Sequence, residues 1–270
     1  MTAKEHPAGV PPGLAVRRVF AFFFFLGRRT GKTRVFALVG LIPVAIAVLV
    51  RVLMAGRADD LAAVFSEILM VFYVTFYIVI LSLFYGTSVS AEELEGKTLS
   101  YLTTRPLAKP AIFLGKYAAY AALMGLMVTS SLGLSFFIMN SHRFRDPGLY
   151  LTFLRYAGVL GLGILAYTAF FAFLGTFLKR AIIVGLLFGF GWENVIQYFP
   201  GSTQKFSLVH YLKSLLPRRP MASGGRLSLL LFRLEPTGPA VSVITLAVVV
   251  SVFVALACVL FRTKEYLYEE

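Results

Sequence analysis

The residues able to do chemistry are few and scattered. His6, His142 and His210 stand in three separate segments, and the single cysteine, Cys258, lies inside an apolar run. One cysteine forms no intrachain disulfide and has no second thiolate for a zinc or redox site. No spacing of His, Asp, Ser or Glu marks a metal centre or a catalytic triad. Gly27-Arg28-Arg29-Thr30-Gly31-Lys32-Thr33 has the Gly-Lys-Thr ending of a phosphate-binding loop. That loop needs four residues between its first Gly and the Gly-Lys pair. Here only Arg28, Arg29 and Thr30 intervene, Leu26 occupies the Gly position, and an apolar run follows. The stretch reads as a basic anchor, and the chain does not bind ATP by this route. One acid, Glu193 in Trp192-Glu193-Asn194, sits well inside an apolar run. A charged residue at membrane depth is a functional candidate by default.

The elements that must position these residues are set by composition. The chain has 270 residues, 58% hydrophobic and 14% charged, with a mean hydropathy of +0.80. Soluble domains carry about 25% charged residues, so the expected class is an all-α polytopic membrane protein. The net charge of +13 belongs to the loops of such a protein. No soluble module is left to carry nucleic-acid binding, so nucleic acid is not an expected partner. Six spans of the roughly 20 apolar residues a bilayer requires are expected. They are Val35 to Leu53 (with Pro43 as a kink), Val64 to Val89, Ile112 to Met139, Leu151 to Leu178, Ala181 to Phe199 and Pro239 to Phe261.

Three regions follow: a cytoplasmic arm with a membrane-surface helix at 1–34, the six-span domain at 35–261, and a charged tail at 262–270. With the N-terminus inside, inner segments hold 15 Lys and Arg against 11 outside, the bias that sets orientation. Both termini are then cytoplasmic. The long outer loop, 200–238, carries two amphipathic patterns. Leu208, Leu212, Leu215 and Leu216 share one helical face, and Leu227, Leu230, Leu231 and Leu234 share another. Turn signals at Pro217 to Pro220 and Gly224-Gly225 separate them. A re-entrant helix pair is expected there.

The longest polar stretch within the apolar chain runs from Ser90 to Lys116. Ser90-Ala91-Glu92-Glu93 has the form of a capping box. Glu92, Glu93 and Glu95 would crowd the first turns of a helix, where the dipole favours negative charge. Arg105-Pro106 would end that helix, which predicts a short helix from Ala91 to Thr104. Capping and solvation alone account for the three glutamates. Contact with a partner accounts for them as well.

This loop resembles the one between the second and third spans of ABC-2 type transporter permeases. There an acidic cluster precedes a Gly-x-Thr-Leu segment, an Arg-Pro pair and a Gly-Lys that opens the next span. The matching positions are Glu92, Glu93 and Glu95, then Gly96, Thr98 and Leu99, then Arg105 and Pro106, then Gly115 and Lys116. The plan of surface helix, six spans and outer re-entrant pair is similar across nearly the whole chain.

The resemblance implies a permease subunit of an ABC exporter in a bacterial inner membrane. It implies a dimer with a second permease copy or homologue, lipid surroundings, and two separate ABC ATPase subunits that hold the ATP and magnesium. The chain itself would carry no cofactor and catalyse no reaction. The helix from Ala91 to Thr104 would be the coupling helix, with Glu92, Glu93, Glu95, Gly96, Thr98, Leu99, Arg105, Pro106 and Lys116 as its working residues. Gly185 and Gly189 form a small-xxx-small pair that admits close helix packing, either across a dimer seam or within the chain. Glu193 would line the pathway or that seam, or lie in the outer re-entrant turn if the fifth span breaks at Gly189 or Gly191. Two other classes need features that are missing. An intramembrane enzyme requires convergent polar groups at span ends. A secondary transporter requires matched halves with mid-bilayer polar residues.

Overall fold

Apolar runs long enough to cross a bilayer have to satisfy their own backbone hydrogen bonds, which leaves the helix as their solution. The computed structural model describes residues 11–54, 58–95, 109–198, 202–216 and 237–263. Its α-helices are α1 (Pro12–Arg29), α2 (Gly31–Gly40), α3 (Ile42–Leu53), α4 (Ala58–Ile68), α5 (Ile78–Glu95), α6 (Lys109–Met139), α7 (Pro147–Phe177), α8 (Ala181–Leu186), α9 (Glu193–Val195), α10 (Leu208–Leu215) and α11 (Pro239–Thr263). Leu69–Tyr77 joins α4 to α5 as a π-helical stretch, and Leu187–Trp192 joins α8 to α9 in the same way.

Among the described residues, 5 helical stretches are long and apolar enough to cross a membrane: Gly31–Leu53, Val64–Ser90, Lys109–Met139, Pro147–Phe177 and Pro239–Thr263. The fifth expected span yields a shorter apolar helix, Ala181–Val195. It does not break at Gly189 or Gly191. It widens there into the π-helical stretch and runs on through Glu193.

The core is built on α5 and α7. A Cβ on Gly175 would lie 2.9 Å from the Thr87 carbonyl oxygen, and one on Gly86 would lie 2.9 Å from Phe171 Cβ. The two backbones approach that closely because these positions have no side chain. Around this pair sit fully buried aromatics, including Tyr73, Tyr77, Tyr167 and Phe171.

The first span is interrupted at Leu41. Pro43 near the start of α3 offers no N–H, and Leu41 N donates back to the Leu38 carbonyl at 3.0 Å. Side chains from other helices reach the carbonyls around the break. Tyr77 OH donates to Phe36 O at 2.9 Å, and Ser131 Oγ donates to Gly40 O at 2.5 Å.

Helix α1 packs along α6. Its face of Ala15, Val19 and Gly27 is buried. Val19 meets Gly115 and Gly27 meets Leu123, the same interval along both helices. Therefore α1 runs lengthwise beside the first half of α6, with Phe22 and Phe25 exposed on its outer side. We call the end of the bundle holding α1, Ser90 and Lys109 proximal, and the opposite end distal.

Candidate functional site

The proximal end carries the segment matched to a coupling loop. Ser90 does not cap a new helix there. It lies inside α5, which continues without interruption through Glu95, and its hydroxyl shares a 2.7 Å hydrogen bond with Thr176 of α7. Glu92, Glu93 and Glu95 therefore extend the second span's own helix, and the capping-box and dipole reading of a helix starting at Ala91 does not apply. Gly96, Thr98, Leu99, Arg105 and Pro106 lie outside the described residues.

Lys116, which the resemblance sets among the coupling residues, is 1% exposed. Its Nζ stands 4.6 Å from the centroid of the Phe23 ring on α1. Gly115 beside it leaves room for Val19, since a Cβ there would fall 2.6 Å from Val19 Cγ1. The Gly-Lys pair is thus the seat of α1. The stretch that mimics a phosphate loop forms the joint between α1 and α2. Its Lys32 Nζ donates to Ser88 Oγ at 2.9 Å, and its Thr33 hydroxyl pairs with Tyr85 OH at 2.6 Å. Both side chains turn into the bundle and tie the joint to α5, while Arg28 and Arg29 stay exposed.

Gly185 and Gly189 face inward. A Cβ on Gly185 would lie 2.4 Å from Leu83 Cδ1, and one on Gly189 would lie 2.6 Å from Val79 Cγ1. The pair therefore serves close packing of α8 and its π-helical extension on α5 within the chain.

Glu193, 1% exposed, organises a polar cluster towards the distal end. Its carboxylate accepts from the Ser207 hydroxyl, from Leu208 N at 3.0 Å and from Val209 N at 3.3 Å. These are the first donors of α10, groups that a helix start leaves without intrahelical partners. The buried Tyr167 hydroxyl faces the same carboxylate without closing a hydrogen bond of good geometry. Gln197, one turn on, accepts from Lys213 Nζ at 2.6 Å. Burial pulls the Lys213 ammonium down to about 8, with the Glu193 charge acting in the opposite direction. His210 Nε2 pairs with Thr237 Oγ1 at 2.8 Å, just before α11.

The expected face of α10 is partly right. Leu212 and Leu216 are buried, and Leu208 and Leu215 are half-buried, but Val209 and His210 are buried with them. The second outer pattern, Leu227 to Leu234, lies outside the described residues. Gln197, Ser207 and Tyr167 were not sequence candidates. Glu193 and Gln197 at i and i+4 in an apolar helix were the available signal, since that spacing puts two polar groups on one face. Among the described residues, no group of three His, Cys, Asp or Glu side chains is placed to hold a metal ion.

Among the described residues, the structure is a bundle of long apolar helices, 5 of them long enough to cross a membrane, around the buried carboxylate of Glu193. Residues 28–192 match the family described as ABC-2 family transporter protein. The match covers more than half of the chain, which belongs to that family: it is a multi-pass membrane permease of the ABC transporter class. No curated protein matches it significantly.

Proposed function

We propose that the chain is the permease subunit of an ABC exporter in a bacterial inner membrane. Two copies, or one copy and a homologue, form the translocation pathway between them. Separate ABC ATPase subunits bind at the proximal, cytoplasmic end and hold the ATP and magnesium. The chain crosses six times, with the short helix Ala181–Val195 continuing into the distal polar cluster to complete the fifth crossing. Both termini lie on the ATPase side.

The observation that carries this reading is the tie between α5 and α7 at the root of the coupling segment. Ser90 and Thr176 share a hydrogen bond, and the Thr87 backbone presses on Gly175. A push on residues 91–104 from an ATPase would enter a stiff two-helix unit rather than a loose loop. Glu92, Glu93 and Glu95, carried on the last turns of α5, would meet basic residues of the ATPase. Gly96, Thr98, Leu99, Arg105 and Pro106 would shape the segment beyond them.

The test is to co-express the chain with its ABC ATPase, purify the complex in lipid, and measure ATP hydrolysis and transport. Glu95→Ala and Gly96→Val are expected to leave the complex assembled and to remove most of the permease-dependent hydrolysis and ATP-driven transport. Full transport from an intact complex carrying both changes would remove the coupling role.

A further inference from the structure

Three aromatic rings line the base of a cavity of about 230 Å³ at the distal end of the bundle. Phe65 of α4, Phe136 of α6 and Tyr156 of α7 pack with ring centroids 5.2–6.0 Å apart, so the base stands without a ligand. The rim is polar, lined by Asn140, Arg143, Asp146 and Thr152. Several of its hydrogens are already engaged. Asn140 Nδ2 donates to Phe136 O at 2.9 Å, Thr152 Oγ1 to Gly148 O at 2.8 Å, and Arg143 Nη2 to Asp146 Oδ2 at 2.8 Å. What the rim still offers is mainly acceptors: the Asn140 side-chain oxygen, the Thr152 lone pairs and the Asp146 carboxylate. Acceptors above aromatic rings suit a compact cation that carries N–H donors.

Arg155 adds the opposite requirement. Gly148, Thr152 and Arg155 stand at i, i+4 and i+7 of α7, which puts them on one face, so Arg155 follows the rim down the helix. It is exposed, as are Leu151 and Leu154 beside it. Among the described residues it has no ion pair or hydrogen bond. Pro147–Phe177 has 31 residues, about 46 Å of helix against a hydrocarbon core of about 30 Å. With the excess shared between the two ends, Arg155, about 12 Å from Pro147, falls at the distal edge of the hydrocarbon. From there its long side chain reaches the level of the lipid phosphates. A lone cation at that depth calls for an anion.

We infer that the cavity and Arg155 together bind a zwitterionic phospholipid of the distal leaflet, one whose headgroup ends in a primary amine. The phosphate pairs with Arg155. The ammonium enters the cavity and donates to Asp146, Asn140 and Thr152. The acyl chains run down the exposed Leu151 and Leu154. The site needs only that the chain spans a membrane, so it stands or falls apart from the exporter reading.

Native mass spectrometry of the purified full chain, titrated with lipids of identical acyl chains, tests this. Phosphatidylethanolamine is expected to bind about fivefold more tightly than phosphatidylcholine, whose ammonium has no N–H, the scale of one net hydrogen bond. Arg155→Gln should weaken phosphatidylethanolamine binding by about fivefold, the upper end for an exposed ion pair. Asp146→Asn should remove the preference over phosphatidylcholine while keeping the start of α7 intact, because asparagine caps a helix as well as aspartate. Phosphoethanolamine without acyl chains should compete only weakly. Equal binding of the two lipids by the parent, or a preference that survives Asp146→Asn, would overturn the amine assignment. Tightest binding of phosphatidylglycerol would overturn it too, in favour of plain anion binding. Unchanged binding to Arg155→Gln would show that the arginine only reaches for water. Full competition by phosphoethanolamine would give the cavity to a soluble ligand and overturn the lipid.

Discussion

Lys116 is buried with its ammonium 4.6 Å from the centre of the Phe23 ring, which fastens the N-terminal helix to the start of the third span. A cation over an aromatic face is worth about 0.5–2 kcal/mol, more as water is excluded. Phe23→Leu keeps apolar bulk and removes the ring face. It is expected to lower unfolding stability by about 1 kcal/mol. In a double-mutant cycle with Lys116→Met, the two changes should be non-additive by a similar amount. Strict additivity would show that the ring and the ammonium are mere neighbours.

Gly115 and Val19 make a steric prediction. A Cβ at position 115 would sit 2.6 Å from Val19 Cγ1 and 3.0 Å from the Val16 carbonyl oxygen. Gly115→Ala should lift α1 from its seat at a cost of about 1–3 kcal/mol, the usual range for overpacking. Faster proteolysis between α1 and α2 would report the loosening. Val19→Ala added to Gly115→Ala should restore much of the protection. A double variant as labile as the single one would place the strain elsewhere.

The hydroxyl pair Ser90 and Thr176 separates two roles for Ser90. As a bridge between α5 and α7, Ser90→Ala should cost about 1 kcal/mol, the net worth of a typical buried hydrogen bond. Most of that cost should vanish when Thr176 is already Val. A helix cap would give the same cost in both backgrounds, so thermal unfolding of the four proteins decides between them.

Lys213 links stability to pH. Its native value of about 8 lies below the 10.5 of the ordinary lysine. Between these two values the unfolded chain holds a proton that the native chain has lost. Native stability should therefore rise as pH climbs from 8 towards 10.5. Below 8 the cost of keeping the charged amine buried is fully present. Lys213→Met removes this contribution and should flatten the curve over that window. An unchanged slope in the variant, measured by thermal unfolding in lipid nanodiscs, would refute the assignment.

Much of the fold was readable from the chain because an apolar run of span length is a strong one-dimensional signal. The stops at Met139, Phe177 and the start at Pro239 fall close to expectation. The interruption near Pro43 was readable for the same local reason. The misreadings concern which way residues face. Ser90 begins a perfect local capping pattern, yet a Ser-x-x-Glu run looks the same inside a helix that is already under way from Ile78. The buried face of α1, Ala15, Val19 and Gly27, carries no long apolar side chain to mark it in the sequence. For Gly185 and Gly189 the spacing left a dimer seam and packing within the chain open, and only three-dimensional placement sets them against Leu83 and Val79 of the same chain. The partnership of Glu193 with Ser207 spans a turn whose path has no periodic signature.

The break in the first span also bears on biogenesis. Chain synthesis delivers Phe36 and Gly40 to the membrane well before Tyr77 and Ser131, the residues whose hydroxyls complete their carbonyls. The first span therefore enters without the donors that fix its bend. Its final shape has to wait for the second and third spans to arrive and pack, which makes the N-terminal half of the bundle one assembly unit during insertion.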